Sequence, residues 1–251
     1  LGVIGIAFLS LPVVRFEDPT NTILETREGE LLSARITADG QWRFSPRDSV
    51  PHQLRQCIRY YEDEYFYYHP GINPVSLSKA LFRNIREGKI VSGGSTLSMQ
   101  VVRMSRKGKP RTLTQKVIEM VLALRLELAR SKEEIFVLYA SYAPFGGNVV
   151  GIDAASWRYY GRPAHKLSWG EAATLAVLPN APALIYPGRN QEALRLKRDG
   201  LLQKLEIKGV IDSLSRELAS YETLPSRPFP LPQLTPHLLD RAEKEAHPGK
   251  R

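Results

Sequence analysis

The sequence predicts a mainly α-helical protein with a small N-terminal β element, on three observations. Beyond Pro51, apolar residues recur at helical spacing, and most of those segments open on a capping residue. Alternating, strand-like stretches are confined to Arg15–Pro51. The chain has 251 residues, 43% hydrophobic and 24% charged, an ordinary globular balance with enough length for a sizeable core.

In chain order, LGVIGIAFLSLPVV (1–14) is uncharged and apolar. It is shorter than the roughly 20 residues that a membrane-spanning helix needs. Because the chain opens on Leu1 rather than Met, the stretch reads as the outer end of a membrane anchor, with a signal-peptide remnant or a core segment as alternatives. Residues 15–51 hold two turn signals, Glu28-Gly29 and Asp39-Gly40, between short alternating runs, and predict a small β linker. Gln53–Tyr61 leads into the helical body. Asn73 before Pro74 is a good N-cap; Leu77, Leu81 and Ile85 recur every four residues, and Gly88 ends that helix. Thr112/Gln115, Ser131/Glu134 and Ser168/Glu171 have capping-box spacing and open helices over about 113–130, 132–142 and 169–178. Gly151–Tyr160, stopped by Gly161, Asn190–Ile207 and Asp212–Tyr221 are three more. TLPSRPFPLPQLTP (223–236) carries five prolines without periodicity and reads as a linker. The expected divisions are therefore 1–14, 15–51, 52–222 and 223–251.

A net charge of +9 favours an anionic partner, whether nucleic acid, a phospholipid surface or a phosphorylated substrate. The single cysteine, Cys57, excludes an internal disulfide and a cysteine metal cluster, and reads as a small buried hydrophobe. Five scattered histidines with no H-E-x-x-H give no basis for a protein-built zinc site.

Three stretches carry candidate chemistry. EDEYFYYHPG (62–71) presses acids against aromatics. It is either an aromatic surface turn or a carboxylate, Glu62, walled off from water and thereby made a stronger proton acceptor. His69 is a structural hydrogen-bonder or a participant. In GGSTLSMQVVRM (93–104), Gly93-Gly94 supplies a turn and Ser95 an N-cap; Thr96, Gln100 and Arg103 then share one polar face, with Leu97, Val101 and Met104 on an apolar one. A capped surface helix explains this, as does a phosphate site built from the turn, free helix N–H groups and the arginine. In Val117–Leu124 only Glu119 is polar; it is either half of a Lys116–Glu119 helix pair or a second carboxylate lining a cleft with that ammonium group.

Taken together and in order, these stretches resemble the peptidoglycan glycosyltransferases of glycosyltransferase family 51, the transglycosylase domains of bifunctional penicillin-binding proteins. Glu62, Asp63, Phe66, His69 and Gly71 match its first motif, E-D-x-x-F-x-x-H-x-G, in full. Gly93, Gly94, Ser95, Thr96 and Gln100 match G-G-S-T-x-T-Q-Q-x-x-K, with Ser98 and Met99 departing and Arg103 at its lysine. Lys116 and Glu119 match R-K-x-x-E, with Gln115 at the arginine. SKEEIFVLYASYAPFGG keeps Lys132, Ile135 and Tyr139 of a fourth motif, with Val137 and Ser141 for its Glu and Asn. GIDAASWRYYGR resembles the fifth, and STLSMQ, APFGG and AVLPNAP look most like the 1C branch. The resemblance spans about 20–236.

The resemblance implies a lysozyme-like fold and polymerisation of lipid II into glycan strands, by inverting attack of a sugar 4-hydroxyl on a strand linked to undecaprenyl pyrophosphate. Glu62 is then the general base and Asp63 its support. Arg103 and Lys116, helped by Ser95, Thr96, Gln100 and His69, bind substrate and steady the pyrophosphate. Glu119 orients a sugar or the lysine. A divalent cation (Mg or Mn) can accompany the pyrophosphate, held by Asp63 or Glu119; no organic cofactor is implied. The implied partners are lipid II, the growing strand, the membrane and other cell-wall synthesis proteins, with no nucleic acid. The implied place is the bacterial inner membrane, with the domain on its periplasmic or extracytoplasmic face. A glycan-cleaving enzyme of the same fold and a catalytically weak glycan- or partner-binding module are the alternatives. No S-x-x-K accompanied by S-x-N and K-T-G supports a transpeptidase.

Overall fold

The computed structural model describes residues 2–88, 93–107, 109–110, 112–180 and 182–245, apart from the side chains of residues 2–4 and 81. Leu1 of the expected anchor end, the Leu81 side chain of the expected helical stripe and residues 246–251 of the expected C-terminal segment lie outside the described residues. The fold is mainly α, as the sequence predicts. Eleven helices, α1 (Gly2–Leu9), α2 (His52–Glu62), α3 (Pro74–Glu87), α4 (Leu97–Ser105), α5 (Leu113–Ala129), α6 (Lys132–Tyr142), α7 (Ile152–Tyr160), α8 (Trp169–Val177), α9 (Gln191–Ile207), α10 (Ser213–Tyr221) and α11 (Pro236–Glu245), and four short strands are present among the described residues. The chain divides into two compact units, residues 1–17 with 62–139 and residues 18–61 with 140–251.

The second of these units carries the β element. Strands β1 (Thr22–Glu25) and β2 (Leu31–Arg35) form an antiparallel hairpin with Thr22 opposite Arg35 and an irregularity at Leu24/Glu25. Its turn is the one predicted: Gly29 adopts φ 82°, which a side chain would resist, and Thr26 N–H donates to Glu30 O at 2.8 Å. Strand β3 (Trp42–Arg43) pairs in parallel with β4 (Val149–Val150), a two-residue strand too short to leave an alternation in the sequence. The proline-rich stretch forms no helix before Pro236, yet its end is tied down: Leu234 N–H donates to Leu32 O and Thr235 N–H to Ser33 Oγ. Helix α11 then packs on both hairpin strands.

The core of this unit is α8, whose residues Gly170 and Ala172–Val177 are all buried. Small side chains let its neighbours α9 and α10 come close: a Cβ on Gly170 would stand 2.7 Å from Ala219 O. The full capping box of Ser168 and Glu171 fixes its start. Asp212 caps α10 through Ser215 N–H at 2.6 Å. Helix α2 buries Leu54, Cys57 and Ile58 on one stripe.

The other unit contains α1, α3, α4, α5 and most of α6, with α4 packed along α5. Asn73 accepts from Ser76 N–H at 3.0 Å, Pro74 fills the first turn and Gly88 ends α3 at φ 63°. Helix α1 spans eight residues and leaves Ile6 and Leu9 exposed. No helix among the described residues is long and apolar enough to cross a membrane.

Candidate active site

Helix α2 ends on Glu62, and the chain turns at once. A single 3₁₀ turn over Phe66–Tyr68 divides the aromatic run. Residues three apart eclipse one another in such a turn. Tyr65 and Tyr68 therefore both face solvent, 53% and 78% exposed, while Phe66 is fully buried. Phe66 meets Phe136 edge-on at 5.8 Å and lies under the Lys132 ammonium at 4.4 Å. The run anchors the turn through Phe66 and leaves Tyr65 and Tyr68 outside, while Glu62 is half-buried with its Oε1 shielded from solvent.

Asp63 and His69 form the frame behind it. His69 Nε2 lies 2.9 Å from Asp63 Oδ2, which also accepts the Leu97 N–H at 3.1 Å. His69 Nδ1 accepts the Gly71 N–H at 3.2 Å, so the proton resides on Nε2 and is donated to Asp63. Both side chains are about 5% exposed. Both imidazole nitrogens are thus taken by protein groups, and His69 stands as a positioning residue rather than the substrate contact expected. Gly71 has φ 97°, and a Cβ there would stand 2.9 Å from Ala123 O and from Glu127 Cγ. Only glycine lets this loop lie flat on α5.

The start of α4 differs from expectation. Thr96, not Ser95, is the N-cap, accepting the Met99 N–H at 3.2 Å while donating to Gly71 O at 2.6 Å. Thr96 is 2% exposed and does not share a polar helix face with Gln100 and Arg103. The Leu97 and Met99 N–H groups are occupied by Asp63 and Thr96. The helix start therefore does not offer them to a phosphate; it holds the frame.

Gln100 and Arg103, three residues apart on α4, hold two carboxylates, Glu62 and Glu119, along one side. Gln100 Nε2 donates to Glu62 Oε2 at 2.7 Å and fixes the carboxylate's orientation. Arg103 Nε and Nη2 grip Glu119 at 3.0–3.3 Å, and Nη2 also reaches Ser95 Oγ at 3.1 Å. The partner of Glu119 is thus Arg103 on the neighbouring helix, not Lys116, whose Nζ donates to Gly93 O at 2.6 Å. Beyond the Arg103–Glu119 pair lies a pocket of about 150 Å³, lined by Arg103, Arg106, Lys107, Lys109, Pro110, Gln115 and Glu119.

One cluster escaped sequence reasoning. Glu127, 8% exposed in its side chain, pairs with Lys132 at 2.7 Å and accepts from the fully buried Ser98. Lys132 also donates to His69 O at 2.6 Å. The network ties α4, α5, α6 and the 62–71 loop together. The signal was present: Glu127 lies between Leu126 and Leu128, the same costly placement that singled out Glu119.

For a divalent ion, the donors are committed elsewhere. Among the described residues no three of His, Cys, Asp and Glu gather as a metal set. Asp63 serves His69 and Leu97, and Glu119 serves Arg103. Neither residue fits as a ligand without breaking the frame.

The profile of the Transglycosylase family matches residues 28–206. Penicillin-binding protein 1C of Escherichia coli (strain K12) is 39% identical over 216 residues, 85% of this chain and 28% of that protein. Penicillin-binding protein 1A of Aquifex aeolicus (strain VF5) is 35% identical over 164 residues, 65% of this chain and 23% of that one. Among solved structures, penicillin-binding protein 1A from Haemophilus influenzae aligns over 94% of this chain and 24% of that chain, with a TM-score of 0.47 and 16% identity. The chain thus spans about a quarter of the length of these relatives.

Proposed function

We propose, on the premise that the chain belongs to the Transglycosylase family, that it is a peptidoglycan glycosyltransferase that polymerises lipid II into glycan strands. The observation that carries this reading is the pairing on one side of α4: Gln100 orients the Glu62 carboxylate, and three residues on, Arg103 stands with Glu119 at a basic pocket. A sugar hydroxyl is a weak nucleophile, and a positioned carboxylate that takes its proton during attack accelerates transfer by about 10²–10⁴-fold. The proton of the acceptor 4-hydroxyl passes to Glu62, the hydroxyl oxygen bonds to the anomeric carbon with inversion, and undecaprenyl pyrophosphate leaves with the bonding pair. The negative charge that develops on the diphosphate meets Arg103 and the cations beside it, with Lys116 close to the Gly93-Gly94 turn. Glu119 keeps the Arg103 fork directed, and Ser95 supports it from the other side.

Asp63, His69 and Thr96 act one layer back, holding the loop of Glu62 against the helix of Gln100 and Arg103. A lipid-linked substrate and the +9 charge are consistent with work at the surface of the bacterial inner membrane, on its outer face, with a lysozyme-like cleft presenting the base. The test is incubation of the purified chain with labelled lipid II, then separation of products by size. Strands together with free undecaprenyl pyrophosphate support the reading. Inert lipid II, with fragments released from purified peptidoglycan, replaces it with glycan cleavage.

A further inference from the structure

Among the described residues, the pocket beyond the Arg103–Glu119 pair is lined by four cations, Arg103, Arg106, Lys107 and Lys109, and one carboxylate, Glu119. The fork of Arg103 is already directed at Glu119 and Ser95. Arg106 is different. It lines the same pocket, and its Nη1 is shielded from solvent with no hydrogen-bond partner among the described residues. A guanidinium N–H without an acceptor is under-satisfied, and a turn of the side chain that brings this shielded nitrogen to an anion in the pocket supplies what it lacks. Gln115 also lines the pocket, at the position where the R-K-x-x-E pattern calls for arginine. A neutral amide there leaves the charge to be supplied by a neighbour.

We propose that Arg106 is the residue that grips the diphosphate oxyanion in this pocket, standing in for the cation that Gln115 does not provide. The inference rests on the glycosyltransferase reading for the identity of the anion and goes beyond it in naming the residue. Its place in the fold suits the task. Arg106 directly follows α4, with its N–H bonded to Arg103 O at 3.1 Å, so the helix that orients Glu62 through Gln100 also sets the height of the guanidinium. Lys107 and Lys109 are exposed at the rim, where salt screens them; Arg106 is the partly buried member and retains its strength.

The experiment is calorimetric titration of the whole chain with inorganic pyrophosphate at fixed ionic strength, with EDTA present, for wild type, Arg106→Ala, Arg106→Ala/Gln115→Arg and Lys79→Ala. Lys79 is exposed on α3 and lines a different basic pocket, with Arg83 and Arg86, so its loss reports a cation removed away from the Arg106 pocket. Loss of a charge-assisted hydrogen bond weakens binding by about tenfold or more, so Arg106→Ala is expected to fall by at least that factor. The double variant recovers to within about threefold of wild type, because an arginine at 115 returns the fork to the same space. Lys79→Ala stays near wild type. Thermal unfolding followed by circular dichroism checks that Arg106→Ala keeps its fold. Arg106→Ala binding as wild type does, or Lys79→Ala falling as far as Arg106→Ala, overturns the assignment. The titration uses no lipid II, so the two readings fail separately. An Arg106-dependent pyrophosphate site in a chain that makes no strands keeps this inference and sinks the polymerase reading. Strand synthesis with Arg106→Ala at wild-type affinity does the reverse.

Discussion

Replacing Asp63 by alanine removes the one acceptor shared by His69 Nε2 and the Leu97 N–H, at 2.9 and 3.1 Å. Both donors lie where water does not reach: Leu97 is fully buried and the His69 side chain is 6% exposed. Each buried donor left without a partner costs about 1–3 kcal/mol, so Asp63→Ala is expected to destabilise the protein by roughly 4 kcal/mol within a range of about 2–6. Asp63→Asn keeps a carbonyl oxygen that can take the place of Oδ2 and accept from both donors, so its cost is smaller than that of Asp63→Ala. Urea unfolding at pH 7 measures both values, and amide hydrogen exchange reads the site itself, since the Leu97 N–H loses its protection in the alanine variant. A cost for Asp63→Ala below about 1 kcal/mol, with the Leu97 amide still protected, would refute the claim that Asp63 joins the 62–71 loop to α4.

Other consequences follow from the same geometry. Gly71→Ala forces a side chain into φ 97° and against Ala123 O and Glu127 Cγ, both at 2.9 Å. Strain and crowding together are expected to cost about 2–4 kcal/mol in chemical denaturation, and a neutral outcome would contradict the close approach of this loop to α5. Burial holds the Glu171 carboxyl above its usual value despite the Ser168 N–H and Arg162 beside it. The folded state then keeps the proton to higher pH than the unfolded chain does, so the wild type loses stability relative to Glu171→Gln as pH rises from the usual carboxylate range, near 4.5, through the higher folded value. Glutamine still completes the capping box, so equal pH profiles for the two proteins would remove burial as the cause. Burial also pushes the Cys57 thiol up, and Cys57 is expected to ignore a thiol reagent in the folded protein and react on unfolding. Rapid labelling under native conditions would show that α2 opens.

Local signals carried most of the fold. The caps at Asn73, Thr112, Ser168 and Asp212, and the stops at Gly88 and Gly161, mark helix ends because the bonds that make them span only three or four residues. What joins distant segments was not legible. Strand β4 exists because Val149 and Val150 meet Trp42 and Arg43, more than a hundred residues earlier, and two residues have no period. At the site, the residue types stood out, but their partners did not. Glu119 was read against Lys116, its neighbour in sequence, and is held instead by Arg103 across two helices. Ser95 and Thr96 are both good capping residues, and tertiary contact decided between them, because Thr96 also reaches Gly71 O. The aromatic run leaves two readings open for a related reason: composition reports that four rings are adjacent, while the 3₁₀ turn decides which one enters the core.

The most direct test of the account is the rate of strand formation from lipid II by wild type and by Glu62→Gln, measured on preparations with matched thermal stability. Glutamine can still face Gln100 but cannot take a proton, so the turnover rate is predicted to drop by about 10²–10⁴-fold while the pyrophosphate affinity is kept. Glu62→Gln polymerising at the wild-type rate would contradict the claim that this carboxylate is the base.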